Sequence, residues 1–381
     1  MKEGIPVGVH AAKKNARQEK AVGLRDVARM AGVSTATVSR VLNAPERVSA
    51  TLRERVAAAS ARLGWVPDGA ARALATRRSG AVGAVFPTLS HGDFARAAEA
   101  LQGELTKRGY ALLLACSHYD PLQEQLLVRQ FVERGVDAVV LVGNVHDPRT
   151  IELLERRNVP YVKTFNYDPE WRHHSVGPDN RRAMRDLTRY LLRLGHRRFG
   201  MIAQSVDHND RAAARQQGVR DALSEEGLSV RPHHFVEGRW SISEGRAAFR
   251  QIIKKKPWPT AVICGNAYLA IGAVLEAMQR GIKLPRDMSI VGYDDIEMMQ
   301  ELPVPITTLR VRSDEVGRLA GDYVLARLGG HQPSTDLECA VEIIERSSSG
   351  PAPRGSPRKV LASVPKAKAS APDRGVGGRD R

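Results

Sequence analysis

The sequence predicts a small all-α domain at the N-terminus, followed by a large α/β part built on parallel sheets. Its 381 residues exceed what one compact core normally uses, so two or three domains are expected. Residues 24–64 show helical periodicity with short breaks, whereas from Ala81 onward short apolar runs alternate with longer amphipathic segments. This alternation continues for about 265 residues, enough for two doubly wound lobes with a cleft between them.

Composition divides the chain further. Residues 1–21 are polar, rich in Lys and Arg and without periodicity, so we interpret them as a disordered basic arm. The helical domain is expected to cover 22–66, a linker 67–79, and the two-lobed core 80–346. Residues 347–381 are rich in Ser, Pro, Gly and basic side chains, which is typical of a disordered tail.

The positive charge of the chain lies at its two ends. Residues 1–78 hold 15 Lys and Arg against 6 Asp and Glu, and residues 346–381 hold 9 against 2. The segment between them holds 34 of each sign, so the net charge of +16 comes from the ends. A basic small domain beside a neutral large one predicts a polyanionic partner for the former and a different task for the latter.

Three helices are expected in the small domain. The first covers Leu24–Ala31 and stops at Gly32, a residue type that often ends helices. The second is capped by Ser34 and runs to about Leu42, and the third follows Ser49 and ends at Gly64. Short helices joined by tight turns are typical of a helix-turn-helix domain.

The outer face of the second helix predicts contact with nucleic acid. Packing of the first two helices leaves four of its side chains outward: Thr35, Ala36, Ser39 and Arg40. Short hydroxyl side chains at a helix N-terminus can hold phosphate, and arginine can bind guanine O6 and N7 as a fork. Such a helix fits the major groove of DNA.

This domain resembles the DNA-binding headpiece of the lactose-repressor/galactose-repressor (LacI/GalR) family. The resemblance is carried by Asp26-Val27-Ala28, Ala31-Gly32-Val33-Ser34, Thr37-Val38-Ser39-Arg40-Val41-Leu42-Asn43 and Val48-Ser49. It implies that Thr35 and Ala36 select bases and that Arg40 contacts a base. The full implied DNA-binding set in the headpiece is Ser34, Thr35, Ala36, Thr37, Ser39 and Arg40. Gly23 departs from the family, which usually places a Thr cap there, although Gly is an acceptable cap.

The linker has two interpretations. Its small residues fit a flexible tether, with Leu74 packed on the core. Ala70-Ala71-Arg72-Ala73-Leu74 also resembles the family's hinge helix, which folds only on operator DNA. That resemblance implies that Leu74 wedges into the central base step through the minor groove, with Ala71 at the contact between two hinge helices. Because the segment follows a domain that resembles the family's headpiece, we favour the interpretation as a hinge helix.

Seven strands and six helices are expected in the core. The strands are Ala81–Phe86, Ala111–Cys116, Ala138–Val142, Val159–Lys163, Phe199–Ala203, Ala261–Cys264 and Met288–Tyr293. The helices are Phe94–Arg108, Leu122–Arg134, Arg181–Leu194, Arg211–Glu226, Ile242–Lys255 and Ala267–Arg280. Their alternation predicts doubly wound parallel sheets.

The resemblance to the LacI/GalR family continues to about Ser348, most clearly at Leu194-Gly195-His196-Arg197-Arg198 and Ser289-Ile290-Val291-Gly292-Tyr293-Asp294-Asp295. It implies a periplasmic-binding-protein-like core, with a small polar ligand at the carboxyl ends of the strands. By position, the effector-binding residues are Phe94, Asn166, Arg211, Arg215, Trp240, Asn266 and Asp294. Two departures, Ala267 and Val311 at places where the family commonly has polar residues, blur the identity of the ligand.

Some of these effector residues have plainer explanations. Phe94 is either an aromatic ring that stacks on the ligand or an ordinary core residue, and Arg211 and Arg215 either grip the ligand or form a solvated face. If both arginines face the ligand, a carboxylated sugar is favoured, because arginine binds carboxylate in a bidentate way.

The sequence gives little support for a metalloprotein, a secreted or membrane protein, or an enzyme. Cys116, Cys264 and Cys339 are widely spaced and fit no metal-ligand pattern; Cys116 and Cys264 lie in apolar runs and are expected to be buried free thiols. Unpaired thiols, no signal peptide and no apolar run of about 18–20 residues predict a cytoplasmic protein without a membrane partner. No phosphate loop, nucleophile elbow or metal-spaced cluster is present, so neither an enzyme nor a cofactor is expected.

Together these features predict a transcriptional regulator, favouring a repressor, that binds a pseudo-palindromic operator in double-stranded DNA as a homodimer. A small effector, favoured to be a sugar or sugar acid, would control its affinity. Two alternatives stay open: a non-specific, nucleoid-type DNA binder, and a solute-binding protein without a signal peptide.

Overall fold

A computed structural model describes residues 22–76, 78–167, 175–333 and 336–353. The predicted basic arm and residues 354–381 of the predicted tail lie outside the described residues. The chain divides into two compact units between Ser79 and Gly80, and each is described by itself.

The first unit is helical. It contains α1 (Leu24–Ala31), α2 (Thr35–Asn43), α3 (Ala50–Leu63) and α4 (Gly69–Thr76), with a single 3₁₀ turn at Pro45–Arg47. The small side chains between the first three helices form its core: Val27, Ala28, Ala31, Val38, Val56 and Ala59. Helical periodicity predicted α1, α2 and α3 to within about one residue at each end.

The turn between α1 and α2 is held by backbone geometry and by one arginine. Gly32 ends α1 with φ +61°, a left-handed conformation that other residues adopt at a cost. Arg55 of α3 donates from Nη2 to the carbonyl oxygen of Ala31 at 2.7 Å, which satisfies a free carbonyl at the end of α1. The arginine therefore ties the third helix to the turn that sets the direction of α2.

The second unit contains two six-stranded sheets. The first lobe has the strand order β11-β5-β4-β3-β1-β2 and the second lobe the order β12-β10-β9-β8-β6-β7. First-lobe strands are β1 (Ala81–Phe86), β2 (Ala111–Cys116), β3 (Ala138–Val142), β4 (Tyr161–Thr164), β5 (Ser175–Gly177) and β11 (Asp336–Glu338). Second-lobe strands are β6 (Phe199–Gln204), β7 (Phe235–Gly238), β8 (Ala261–Cys264), β9 (Ser289–Tyr293), β10 (Thr307–Val311) and β12 (Val341–Ile344). All neighbouring strands are parallel except β10 and β12.

Helices cover the sheets. The first lobe carries α5 (Gly92–Lys107), α6 (Pro121–Glu133), α7 (Pro148–Arg156) and α13 (Ser313–Leu328). The second carries α8 (Asn180–Arg193), α9 (Asp210–Ser224), α10 (Ile242–Ile252), α11 (Ala267–Gln279) and the short α12 (Met298–Glu301). Because helices lie on both faces, central strands such as β3 and β9 are buried along their whole length. This is the doubly wound, two-lobed architecture that the sequence predicted.

Several elements were not predicted. The five missed strands are β5, β7, β10, β11 and β12, and the missed helices are α7, α12 and α13. Most of these strands have three or four residues, and β7 and β12 are partly exposed, so neither length nor an apolar run marks them. The chain crosses between the lobes after β5, β10 and β11, and because all three of these strands were missed, the sequence did not predict any of the three crossings.

The predicted start of the disordered tail at residue 347 is wrong by several residues. Ser348 is fully buried, its Oγ accepts from the backbone N–H of Thr307 at 2.8 Å, and Ser349 bonds to Tyr190 at 3.0 Å. Short hydroxyl residues resemble a linker in composition, but here they satisfy buried polar groups of the second lobe. The described core therefore continues to residue 353.

The three thiols are free, but they differ in exposure. Cys264 and Cys339 are buried, and burial raises the pKa of both thiols, that of Cys339 to about 12. Cys116 is only partly buried, contrary to the prediction, because β2 is an edge strand and its run of apolar residues is half exposed. Among the described helices, none is both long and apolar enough to cross a membrane.

Candidate nucleic-acid interface and ligand cleft

Helix α2 presents the face that the sequence predicted. Ser34 caps it, accepting at Oγ from the backbone N–H of Thr37 at 3.1 Å. Thr35, Ala36 and Arg40 are exposed. The same cap brings the hydroxyls of Ser34 and Thr37 to 2.9 Å, so both lie at the N-terminus of the helix. A helix N-terminus with exposed hydroxyls suits a phosphate oxygen.

Arg40 is the cationic side chain of this face. Within the described part of the chain, no hydrogen bond or ion pair engages its guanidinium. Ser39 is half-buried and accepts from Asn43 Nδ2 at 3.3 Å, so its hydroxyl is partly engaged within the helix. Arg40 therefore keeps all its donors for a partner outside the unit.

Helix α4 carries the two linker residues that the resemblance singled out. Ala71 is exposed, and Leu74 is 86% exposed. An isolated helix of eight residues with an exposed leucine gains little from packing, so its stability depends on a partner. The hinge and tether interpretations of this segment both stay predictions.

The cleft lies where polar residues follow the carboxyl ends of the strands. A cavity there is lined by His91, Asp93, Phe94, Tyr119, Phe165, Pro178, Asn180, Gln204, Asn209, Arg211, Arg215, Asn266, Tyr293, Asp294 and Val311. Three of these residues, His91, Asn209 and Asn266, occupy the cap positions of α5, α9 and α11. The cavity leaves about 30 Å³ that the centre of a water molecule can occupy. A sugar therefore enters only if side chains shift or the lobes separate.

Arg215 is a buried cation in the wall of this cavity. It is 8% exposed, donates to Asn180 Oδ1 and Gln204 Oε1 at 3.2 Å each, and lies 4.5 Å over the ring of Tyr293. Its Nε has no hydrogen-bond partner among the described residues. These bonds fix the guanidinium without neutralising it, and the charge remains available to an anion.

Arg211 differs from Arg215 because it has a carboxylate partner. Asp210 accepts from its Nη1 at 3.2 Å. The guanidinium also lies against Gly143, where a Cβ would collide with Nη1 and where φ is +82°. Arg211 lines the cavity as predicted, but much of its charge is already offset.

Two carboxylates share the cavity. Burial raises the pKa of Asp93, which Arg96 and Ser313 partly oppose by hydrogen bonds. Burial, and then the nearby Asp93, raise the pKa of Asp294 well above its ordinary value. No described group donates a hydrogen bond to the Asp294 carboxyl, and the backbone of Asp294 is left-handed, with φ +69°. The carboxyl therefore lines the cavity without a donor among the described residues.

Asn266 and Phe94 both line the cavity as predicted, and both also stabilise the fold. Asn266 caps α11 by accepting from Leu269 N–H at 2.9 Å and donates to Gln204 at 3.3 Å. Phe94 is 7% exposed and meets Phe165 edge to face at 4.9 Å. Phe94 is therefore a core residue that also borders the cavity, and its stacking on a ligand stays a prediction.

Asn166 and Trp240 lie outside the residues that line the cavity. Asn166 donates from Nδ2 to Asp210 Oδ2 at 2.9 Å, across the cleft from the first lobe to the second. The ring of Trp240 is tilted against that of Tyr119 at 5.0 Å and meets that of His91 edge to face at 6.0 Å, and both of these neighbours line the cavity. In this closed arrangement neither faces the free space.

The sequence reading missed several lining residues. His91, Tyr119 and Gln204 follow or end strands β1, β2 and β6, where α/β folds commonly bind ligands, so their positions in the sequence were a usable signal. Asn180 begins α8 after a crossing between lobes, and no local signal marks it. Among the described residues, no group of His, Cys, Asp and Glu side chains could hold a metal ion.

Comparisons with known proteins agree with both units. Residues 23–68 match the family described as bacterial regulatory proteins, lacI family, and residues 188–349 match the periplasmic binding protein-like domain. The transcriptional repressor CytR of Escherichia coli (strain K12) is 32% identical over 339 residues, covering 88% of this chain and 98% of CytR. The transcriptional regulator GntR of the same strain is 31% identical over 307 residues, covering 81% and 92%.

Solved structures are similar over the same extent. A lac repressor dimer bound to operator and the anti-inducer ONPF matches with a TM-score of 0.78 and 26% identity, covering 87% of this chain and 100% of the repressor chain. A LacI-family regulator from Silicibacter pomeroyi matches with a TM-score of 0.77 and 27% identity, covering 86% and 99%. Because CytR is 32% identical over 88% of this chain and the lacI family matches the helical unit, this chain belongs to the lacI family of bacterial transcriptional regulators.

Proposed function

We propose that this chain is a homodimeric repressor that binds a pseudo-palindromic operator and is controlled by a small polar effector in the cleft. The exposed, unpaired Arg40 on the capped helix α2 carries the proposal, because such a side chain can bind the edge of guanine. A twofold-symmetric dimer would present two such helices to two half-sites. The protein would act by binding, without catalysis, in the cytoplasm where its DNA is.

Footprinting on genomic fragments tests this proposal. A regulator protects a short palindrome, whereas a nucleoid-type binder that uses its basic ends covers DNA uniformly. The measurement is made at two salt concentrations, because non-specific binding weakens steeply with salt while the protected palindrome persists. Uniform protection at both salts would contradict the proposal and favour the coating protein.

We further propose that the effector is a sugar acid. Arg215 is buried and faces only neutral amides and an aromatic ring among its hydrogen-bond and ring contacts, so a carboxylate would complete its surroundings. Asp294 would accept from, or share a proton with, a ligand hydroxyl. The names of the similar proteins do not determine the effector of this chain. The proposal of a sugar acid rests on the residues of the cavity alone.

Calorimetry with matched pairs of ligands tests the effector class. D-glucuronate and D-glucose differ only in carrying a carboxylate or a hydroxymethyl group, and D-galacturonate and D-galactose form a second pair. We expect heat from at least one acid and less or none from its neutral partner. Heat from the neutral sugars alone would sink the sugar-acid proposal and leave the regulator intact.

A further inference from the structure

Two side-chain nitrogen atoms in the cavity wall lack hydrogen-bond partners among the described residues. Six buried side-chain polar atoms in the described chain have no hydrogen-bond partner, and two of them, His91 Nε2 and Arg215 Nε, belong to side chains that line the cleft cavity. The two side chains are 9% and 8% exposed. Buried polar atoms in folded proteins are nearly always paired, so an unpaired couple in one cavity indicates a ligand group that both contact.

His91 cannot turn away to find another partner. Its ring stacks on Tyr268 at 5.0 Å and on Phe94 at 5.8 Å, and the edge of Trp240 lies 6.0 Å away. Tyr268 is itself fixed, since its hydroxyl donates to the carbonyl oxygen of Ser90 at 3.1 Å. The aromatic cluster therefore holds the imidazole at the cavity wall in one orientation.

The charges around His91 favour the neutral ring in the empty cavity. Burial, and secondarily the positive charge of Arg215, lower the pKa of His91 to about 4. The other charged or titratable side chains of this wall are Asp93 on α5, Arg211 on α9, Asp294 after β9, and the phenols of Tyr119, Tyr268 and Tyr293. Asp93 is engaged with Arg96 and Ser313, and Arg211 with Asp210.

We propose that His91 and Arg215 together form an anion site, and that His91 takes up one proton from solvent when the carboxylate of an effector binds between them. The inference rests on the proposed function, because it assigns the chemistry of the effector's charged group. One carboxylate oxygen accepts from Arg215 Nε, and the other accepts from the protonated imidazole at Nε2. The N-termini of α5, α9 and α11, whose cap positions line this cavity, add favourable partial positive charge.

Proton uptake makes effector affinity depend on pH. The bound carboxylate offsets the charge of Arg215 and pairs with the imidazolium, so the pKa of His91 is higher in the complex than in the empty cavity. Affinity therefore falls as the pH rises from about 4 toward the pKa of the complex, by up to about tenfold per pH unit for one proton. At pH 6 a carboxylate with a pKa of about 4 is almost fully ionised, so proton uptake at that pH does not come from the ligand.

Asp294 is the other group in the cavity that could take up the proton from solvent. Its own pKa is already raised, and an anion nearby would raise it further. Effector affinity has the same slope against pH whether Asp294 or His91 takes up the proton. Substitutions of the two residues are therefore needed to distinguish these cases. His91→Gln removes the titrating imidazole while keeping a polar side chain. Asp294→Asn removes the titrating carboxyl.

The test uses the full-length protein with D-glucuronate, and with acetate as a small carboxylate that lacks a sugar ring. Calorimetry at pH 6 in two buffers of different ionisation enthalpy counts the protons taken up. Long-range ¹H–¹⁵N spectra follow the histidine rings, with His91 assigned by its absence in His91→Gln. Sodium chloride at equal ionic strength is the blank, and His331→Gln, an exposed histidine far along the chain, is the matched control.

The expected result is uptake approaching one proton in wild type, His331→Gln and Asp294→Asn, with the His91 ring becoming protonated as carboxylate is added. His91→Gln should show no uptake and an affinity lower by about tenfold or more, as for a lost hydrogen bond to a charged group. Uptake that persists in His91→Gln, a His91 ring that stays neutral, or no response to either carboxylate would each overturn the anion site. Because the operator footprint is measured on the same samples, these failures are distinct from failure of the regulator.

Discussion

Arg40 illustrates how one side chain can carry specificity. It is exposed on α2, and the structure gives its guanidinium no internal partner among the described residues. Ser34 and Thr37, at the other end of the helix, are engaged with each other and with the helix backbone. In the proposed complex the hydroxyls would position the helix on phosphate, and Arg40 would be free to contact a base.

Replacement of Arg40 by alanine should reduce operator affinity by about 1–3 kcal/mol, because a bidentate contact with guanine is lost. Non-specific affinity should fall only slightly, and effector binding should be unchanged. Fluorescence anisotropy with operator and scrambled DNA measures both. Arg62→Ala removes the same charge from an exposed position on α3 and is the control. If both variants lose affinity equally for both DNAs, Arg40 acts only as a charge.

At the scale of elements, glycine sets how closely helices cross in the core. Gly317 of α13 lies against Ala97 of α5, where a Cβ would collide with the backbone carbonyl. Gly218 of α9 meets α8 in the same way, and Gly272 of α11 meets α10. Each lobe therefore depends on a helix pair whose backbones are in contact, which no larger residue permits.

Gly317→Ala should lower the free energy of unfolding by about 1–3 kcal/mol, as expected for overpacking in a dense core. Gly103→Ala on the exposed side of α5 has open space for its methyl group and should raise stability by up to about 1 kcal/mol, because alanine favours the helix. Urea unfolding monitored by circular dichroism compares the two. Equal effects of the two substitutions would mean that α5 and α13 can move apart at little cost to accommodate a methyl group.

Helix α4 presents an apolar side chain to solvent. Leu74 is 86% exposed on a helix of eight residues. Burial of such a leucine is worth about 1.5–3 kcal/mol, which a minor-groove site can supply when the leucine enters a base step. The tether interpretation gives the side chain no such role.

Leu74→Ala should lower operator affinity and reduce bending of the DNA, since the wedge is shortened while helix propensity is kept. Gel mobility of circularly permuted operator fragments measures the bend, and Val66→Ala, at another exposed apolar residue, is the control. Unchanged bending with Leu74→Ala would mean that α4 is only a connection.

At the scale of the molecule, regulation requires coupling between the cleft and the DNA. Bonds across the cleft, from Asp210 to Asn144 and Asn166 and from Tyr268 to Ser90, hold the lobes closed in this structure. An effector that needs more than the present free space must rearrange some of these bonds, and this gives it a differential affinity for two states.

We expect the effector to change operator affinity by about 5- to 150-fold, which corresponds to a coupling of about 1–3 kcal/mol. Linkage requires that operator DNA change effector affinity by the same factor and in the same direction. Anisotropy titrations with and without effector, and calorimetry with and without operator, give the two factors. An effector that binds the cleft while both factors equal one would show that the cleft does not regulate.

Local pattern was sufficient for the headpiece helices and the central strands. Turn chemistry at Gly32 and Ser34 and the fully apolar runs of β3 and β9 are encoded within a few residues, so the sequence predicts them. The five predicted residues that line the cavity came from the resemblance to the LacI/GalR family, in which Gly292-Tyr293 fixes the position of Asp294.

Only the tertiary structure decided which side chains share the cleft. Asn180 reaches Arg215 and Tyr293 after a crossing between lobes, His91 is held by rings from both lobes, and Asn166 is taken up by Asp210. It also showed that residues near Ser348 complete the second lobe. These contacts join residues far apart in the chain, and a local pattern of apolar and polar residues carries no information about such long-range pairing.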